Sequence, residues 1–285
     1  MAAASATIAA APAPSAGGAR ILKGAGIFWF VVALLGQWAF LYYIAAFYGV
    51  STATGNLERW NRLEALGRTP YVPGDTGGNL AYAAHALGAG VIALGGALQL
   101  IPFVRRRFSA FHRWNGRLFL AMVTGLSLSG FYLVWIRNTS PSFIEGLSTS
   151  LNGVLILTFA ALALRFAMKR DIAEHQRWAM RLYLVSNAQW FLRVGVFGYF
   201  VVCNGLGLEV SFSDLFFKFW TWGCYLVPLA VLQLYFLARD RGGLIARVAT
   251  ASVIVALTLV MAAGVFAFGV FSQALINGAP MGLPD

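Results

Sequence analysis

Long uncharged runs dominate the hydrophobic pattern of this chain. Seven stretches of about 19 residues are apolar enough to cross roughly 30 Å of hydrocarbon as helices. Six of them contain no Asp, Glu, Lys or Arg, and the fifth contains one charged residue, Arg193. The runs are Gly26 to Phe47, Leu80 to Val104, Leu118 to Ile136, Leu147 to Leu164, Leu182 to Val202, Phe219 to Ala238 and Val248 to Phe271. The pattern predicts an all-α, polytopic membrane protein with seven transmembrane helices.

Composition supports this class. Of the 285 residues, 59% are hydrophobic and 11% are charged, and the mean hydropathy is +0.72. Soluble domains carry about 25% charged residues, so the chain is predicted to be an integral membrane protein. We expect one transmembrane domain at residues 21–275. A disordered tail of Ala, Ser, Pro and Gly precedes it at residues 1–20, and a short tail follows at residues 276–285.

The distribution of basic residues predicts the orientation. In the seven-helix arrangement, fifteen of the 21 Lys and Arg residues fall on the side of the amino terminus and five on the other side, with Arg193 inside the fifth run. The positive-inside rule then places the amino terminus in the cytoplasm and the carboxyl terminus in the periplasm of a bacterial inner membrane. Topology accounts for the net charge of +11, so we expect no nucleic-acid partner.

One motif occurs twice. The segment "FSAFHRWNGRLF", from Phe108 to Phe119, reappears as "DIAEHQRWAMRLY", from Asp171 to Tyr183. Each copy connects two apolar runs, which predicts a duplicated helical hairpin at about residues 80–136 and 147–202 forming a four-helix core. Ser109 and Asp171 stand where helix N-caps are expected.

The histidines of the two copies, His112 and His175, admit two interpretations. Arg and Trp residues of the motif are typical of anchoring at lipid headgroups, which explains most of it without chemistry. Imidazole is not needed for anchoring, so the pair can instead supply the axial ligands of a single haem b, with Arg117 and Arg181 pairing its propionates. No metal site other than this haem is expected.

Arg193 is the strongest single candidate for a functional residue. A charge inside the bilayer costs several kcal/mol unless it is satisfied, and all ten acidic residues fall outside the apolar runs. Either amides and helix carbonyls hold the guanidinium, or it binds an anionic or carbonyl-bearing ligand. We therefore predict an outer polar site that can accept a quinone headgroup. Its expected members are His85, Arg193, Tyr82, Asn152 and Gln189.

Two further features lie on the predicted outer side. The loop from Ser51 to Asn79 contains a Pro/Gly/Asp cluster and is either a solvated connector or a lid over the outer mouth. Cys203 and Cys224 both fall in the outer half, where a disulfide is geometrically conceivable.

The repeated core resembles a known family. The segments "HALGAGVIALGGALQLIPFVRRRFSAFHRWNGRLF" and "LRFAMKRDIAEHQRWAMRLYLVSNAQWFLR" are similar to the bacterial predicted membrane proteins called domain of unknown function 2306. The resemblance covers roughly Ala81 to Arg193 and rests on His85, on the element around His112, and on the element around His175. It implies a multi-span membrane protein and no established activity.

Three functional hypotheses stay open. The first is a small membrane redox module with one haem b or a quinone-facing site. The second is a carrier or lipid-interacting protein that uses Arg193 as an anion site, with anionic headgroups of the cytoplasmic leaflet as partners. The third is an accessory or assembly subunit of a larger membrane complex.

Overall fold

The computed structural model describes residues 16–66 and 69–279, and every regular element in these ranges is helical. The all-α prediction is therefore confirmed. The α-helices are α1 (Ala16–Tyr43), α2 (Val50–Ala53), α3 (Thr76–Leu100), α4 (Pro102–Arg107), α5 (Ser109–Trp135), α6 (Phe143–Met168), α7 (Ile172–Ser186), α8 (Ala188–Gly205), α9 (Leu215–Arg241) and α10 (Leu244–Asn277). A π-helix (Ile44–Gly49) joins α1 to α2, and a 3₁₀-helix (Leu57–Leu66) follows α2.

Six helical segments within the described ranges are long and apolar enough to cross a membrane. They are Gly17–Ala53, Thr76–Leu100, Ser109–Trp135, Phe143–Met168, Leu215–Arg241 and Leu244–Asn277. The first combines α1, the π-helix and α2. These segments make the protein a multi-pass membrane protein, with one fewer continuous span than the sequence predicts.

The fifth predicted run, Leu182 to Val202, is divided between α7 and α8. The break lies at Asn187, whose side-chain amide donates to the carbonyl of Tyr183 at 2.8 Å. In a regular helix that carbonyl accepts the backbone N–H of residue 187, which here donates to Leu184 O at 3.2 Å. An Asn side chain that competes with the backbone in this way interrupts a helix, so neither half qualifies as a span by itself.

Glycines allow the closest helix packing. The main contacts pair α1 with α10, α10 with α8, α3 with α5, α6 with α7, and α5 with α6. Where α8 crosses α10, a Cβ on Gly198 would lie 3.8 Å from the Cα of Gly264, and a Cβ on Gly264 would collide with the carbonyl oxygen of Val194. The two backbones touch here because neither helix carries a side chain at the crossing.

The loop between the first two spans is packed onto the bundle. Trp60 of the 3₁₀-helix is fully buried, Arg59 Nη2 donates to Ile276 O at 2.5 Å, and Arg62 Nη1 donates to Leu275 O at 2.9 Å. These arginines satisfy carbonyls at the end of α10, which a helix leaves without intrahelical partners. The segment therefore covers this end of the bundle, as the lid alternative requires.

An ion pair fixes the start of α3. Asp75 Oδ1 accepts the backbone N–H of Gly78 at 2.8 Å and caps the helix. Its Oδ2 accepts Arg137 Nε at 2.8 Å, and Arg137 Nη2 donates to Asn79 Oδ1 at 2.6 Å. The end of α5 is thereby tied to the start of α3.

Several smaller predictions need correction. Residues 16–20 belong to α1 and residues 276–277 to α10, whereas the rest of the predicted tails, residues 1–15 and 280–285, lies outside the described residues. Asp171 caps α7 through Glu174 N, but Ser109 is the first residue of α5 and makes no capping hydrogen bond. Cys203 and Cys224 are both buried free thiols.

Candidate functional site

Of the five predicted members of the outer polar site, Gln189 and Arg193 contact each other, and His85, Asn152 and Tyr82 have other partners. His85 Nδ1 lies 2.9 Å from Ser129 Oγ and links α3 to α5. Asn152 Nδ2 donates to Val185 O at 3.2 Å and links α6 to α7. Tyr82 lies in an aromatic cluster, and Gln189 and Arg193 interact with each other on α8. The structure therefore brings the last pair together and gives His85 and Asn152 hydrogen bonds within the core.

Arg193 has polar contacts but no opposite charge. Its Nη1 donates to Gln189 O at 2.7 Å and approaches Gln189 Oε1 at 3.4 Å, and its guanidinium lies 5.4 Å from the ring centroid of Phe40. No acidic residue in the described part of the chain forms an ion pair with it. One carbonyl and one aromatic face satisfy only part of a guanidinium, which has five N–H donors.

An aromatic cluster adjoins Arg193. We call this cluster the aromatic wall; its members are Phe40, Tyr43, Phe47, Tyr48, Trp60 and Tyr82. Tyr48 packs against Tyr82 and Trp60, each with a centroid distance of 6.0 Å, and its hydroxyl lies 3.5 Å from that of Tyr82. The guanidinium of Arg193 lies over the ring of Phe40, which stacks on Tyr43. The wall therefore extends from the covering 3₁₀-helix to the charge on α8.

The π-helix shapes this wall. It supplies Phe47 and Tyr48, and Tyr43 directly precedes it. Single π-turns inside α-helices change the direction of side chains and are frequent at functional sites. The sequence gives one signal of the wall, the run "FLYYIAAFY" from Phe40 to Tyr48, but the contribution of Trp60 depends on the fold.

Three hydrogen-bond donors are buried in this core without a partner in the described chain. Gln37 Nε2, Trp60 Nε1 and Trp190 Nε1 are buried without an acceptor among the residues that the structure describes. Gln37 Oε1 already accepts the Tyr183 hydroxyl at 2.9 Å. A buried polar group without a partner costs about 1–3 kcal/mol. Together with the charge of Arg193, this favours a ligand that accepts hydrogen bonds.

The two repeat histidines occupy equivalent positions in their helices. His112 and His175 are each the fourth residue of their helix, in α5 and α7 respectively. His175 Nδ1 hydrogen-bonds to Ala163 O at 2.9 Å, whereas His112 Nδ1 is buried without a partner in the described chain.

A haem does not fit beside this pair. Phe119, Val123 and Leu182 form a packed cluster on the apolar side of the histidines, together with Ile92 and Ala160. A Cβ on Gly96 of α3 would lie 2.9 Å from the Phe119 ring and 3.2 Å from the Tyr183 ring. Aromatic rings therefore already occupy the space beside this glycine. A flat macrocycle would have to displace this cluster.

The predicted propionate-binding arginines are engaged elsewhere. Arg117 lies 4.8 Å from the Trp114 ring centroid, and Arg181 lies 4.7 Å from that of Trp178. Arg181 Nη2 also donates to Gln233 Oε1 at 3.0 Å. Both arginines therefore stack on the tryptophan three residues before them. Among the described residues, no group of three or more His, Cys, Asp or Glu is placed to hold a metal ion.

Comparison with known families identifies the family of this chain. The family described as "Predicted membrane protein (DUF2306)" matches residues 82–236, more than half of the chain. The chain belongs to this family. No match was found among curated proteins or among solved structures.

The DUF2306 segment contains part of the candidate site. It runs from Tyr82 on α3 to Phe236 on α9 and includes His85, His112, His175 and Arg193. The rest of the aromatic wall, on α1, the π-helix and the 3₁₀-helix, lies outside it. The segment matched by the family therefore supplies Arg193, and the elements before it supply most residues of the aromatic wall.

Proposed function

We propose that this protein binds a small molecule between α1, α3 and α8 whose polar group is an anion or a carbonyl, with Arg193 as the main contact. The observation that carries the proposal is a guanidinium within an apolar bundle that has no carboxylate partner in the described chain. Insertion scales assign about 3 kcal/mol to an arginine at the centre of a membrane helix. A ligand that neutralises the charge offsets that cost.

The aromatic wall and the unpartnered donors support the ligand class. Flat rings bind the apolar part of an amphipathic molecule, and a few polar groups orient it. Trp60 Nε1 and Trp190 Nε1 can donate to carbonyl or carboxylate oxygens. A quinone headgroup and a fatty acid both have such acceptors. Carriage of the ligand across the membrane is the form of this function that we favour over haem chemistry.

The proposal includes a topology of seven crossings. In it, α7 and α8 cross the membrane together as one interrupted helix, which places the amino terminus in the cytoplasm and the carboxyl terminus in the periplasm of a bacterial inner membrane. The three-to-one distribution of basic residues supports this orientation. Interrupted helices are common at the binding sites of transporters, and here the interruption precedes Arg193 by six residues.

We further infer that the two hairpins are copies of one unit. One hairpin consists of α3 and α5, and the other of α6 with α7 and α8. The same Arg–Trp stacking recurs at matched positions, Arg117 on Trp114 and Arg181 on Trp178, with similar distances. This supports duplication, with the stacked pairs anchoring both copies at one membrane surface.

Arg193→Gln tests the binding proposal. The purified protein is titrated in mild detergent with octanoate, as an anion, and with decylubiquinone, as a dicarbonyl, and binding is followed by thermal stabilisation. Loss of a charge-assisted hydrogen bond is worth about 1.5–3 kcal/mol, so the variant should bind the preferred probe at least tenfold more weakly. Arg193→Lys should retain part of the anion binding, because it keeps the charge.

Lys218→Gln is the matched control, since Lys218 is exposed near the start of α9. Equal loss of binding in this control would indicate a diffuse charge effect. Wild-type protein that responds to neither probe, and carries no co-purified ligand by native mass spectrometry, would contradict the proposal. Tighter binding of octanoate would identify the polar group of the ligand as an anion, and tighter binding of decylubiquinone would identify it as a carbonyl.

A further inference from the structure

A second basic site lies at the other end of the bundle. A pocket of about 230 Å³ opens between the start of α1, the end of α9 and the start of α10. Its lining residues are Ala19, Leu22, Lys23, Tyr235, Arg239 and Arg247. Water occupies about 30 Å³ per molecule in the liquid, so the pocket has room for a group of several heavy atoms. It lies outside the DUF2306 segment, except for Tyr235.

Arg247 gives this pocket a built polar wall. Its side chain is buried, with the residue only 5% exposed. Nε donates to Ala238 O at 3.2 Å and Nη2 donates to Arg239 O at 3.2 Å, which caps the carboxyl end of α9. Nη1 is buried without a hydrogen-bond partner in the described chain. Capping therefore uses two of the three guanidinium nitrogens and leaves Nη1 as a charged donor without an acceptor in the described chain.

The balance of charge favours an anion. Lys23 makes no hydrogen bond or ion pair with any described residue and is exposed. Arg239 Nε pairs with Asp240 Oδ1 at 2.7 Å, and Asp240 also binds Arg177. One carboxylate is thus shared between two arginines, and no acidic residue lines the pocket. The free backbone N–H groups at the start of α10 add positive potential.

We infer that this pocket binds a phosphate group. Phosphate presents several acceptor oxygens at one centre, which matches converging guanidinium and ammonium donors. The surroundings favour the headgroup of an anionic lipid as its source, because Leu22 and Tyr235 line the pocket and Leu244 and Ile245 next to it are exposed. Exposed apolar side chains beside a basic pocket are typical of a membrane interface.

Native mass spectrometry of the detergent-solubilised full chain tests the inference. Phosphatidylglycerol is titrated against phosphatidylcholine, whose choline cation meets the same basic residues, and inorganic phosphate is added as a competitor. Wild-type protein should retain one phosphatidylglycerol at least fivefold more tightly than phosphatidylcholine. Lys23→Gln should weaken this binding about fivefold, the typical effect of one basic residue at an anionic surface.

Lys169→Gln is the matched control, because Lys169 is an exposed lysine at the end of α6 that does not line the pocket. Unchanged binding in this control, with loss in Lys23→Gln, supports the site. Competition by inorganic phosphate also supports it and adds a soluble source of the ligand. Equal retention of both lipids without a response to phosphate, or equal losses in Lys23→Gln and Lys169→Gln, would overturn it.

Arg247→Gln is a second variant for the same site. It removes the free donor and also the cap of α9, so its thermal stability is measured first. The folded variant should lose the phosphatidylglycerol preference. Arg193→Gln should leave that preference unchanged, which separates this site from the one proposed above.

Discussion

Asp75 has two roles at the start of α3. Its carboxylate accepts the backbone N–H of Gly78, and it pairs with Arg137, whose side chain is only 6% exposed. The N–H of Gly78, followed by Arg137, holds the pKa of Asp75 below its usual value. A depressed pKa contributes stability that is complete above the unfolded value of about 3.9 and is lost as the pH falls through the folded value.

Asp75→Asn should therefore flatten the acid dependence of stability. The wild-type melting temperature should fall as the pH drops below about 4, whereas the variant should show less of this decrease. Asn keeps the helix cap, so the substitution isolates the charge. Melting temperatures between pH 3 and 7 measure the effect, with Glu209→Gln as a control in an exposed loop. Parallel curves for Asp75→Asn and wild type would show that the pair contributes nothing.

Arg193 shows the limit of residue types as predictors. The sequence indicates that a charge inside an apolar run needs a partner, because desolvation is costly. The structure gives it Gln189 four residues earlier, on the same face of α8, and the ring of Phe40 from α1. The first partner follows from helical spacing. The second depends on how the first span packs in the tertiary structure and has no counterpart in a sequence pattern.

At the scale of elements, the close packing of α8 against α10 depends on glycines at their crossing. Gly264→Ala would place a methyl group against the carbonyl of Val194. Backbone cannot move aside as a side chain can, so we expect a loss of about 1–3 kcal/mol of stability. Gly269→Ala is the matched control on the same helix, since a Cβ there meets nothing within 4 Å. Thermal unfolding in detergent should show a lower midpoint for the first variant alone. Equal midpoints would mean that the helices separate without cost.

The helix break at Asn187 is a second feature at the scale of elements, because it separates α7 from α8. The apolar run on either side is continuous in the sequence, so hydropathy predicts one helix. A single Asn side chain that bonds Tyr183 O changes the local hydrogen bonding and produces two helices. Apolar length sets how much chain can lie in the membrane, whereas polar side chains within it set where a helix breaks.

Topology can be tested on the whole molecule. If α7 and α8 together cross the membrane, the two chain ends lie on opposite sides. Alkaline phosphatase fused after the carboxyl terminus should then be active in the periplasm, and green fluorescent protein at that position should be dark. A fluorescent carboxyl-terminal fusion would mean that the interrupted helix does not cross. Fusions at the amino terminus, expected in the cytoplasm, provide the comparison.

The sequence by itself determined that this protein lies in a lipid bilayer and which apolar segments form its spans. Uncharged runs long enough for a bilayer are a local property, and a helix is the only way for such a run to satisfy its backbone. Four of the seven runs accordingly fall wholly within the apolar helices of the structure, and two more overlap them but extend past the helix ends at Leu100 and Trp135. The same local rule identified Arg193 as costly and Asp171 as a cap, because both effects act within one or two helical turns.

Only the tertiary structure decided which side chains meet. Trp60 becomes part of the aromatic wall because the 3₁₀-helix packs over the bundle. The haem interpretation finds no support because Phe119 and Leu182 pack together beside the histidines. Lys23 and Arg247 line one pocket because α1 packs on α10. Apolar helices tell little about their neighbours, since lipid and protein are equally hydrophobic. Close packing at small residues and a few polar contacts select the partners.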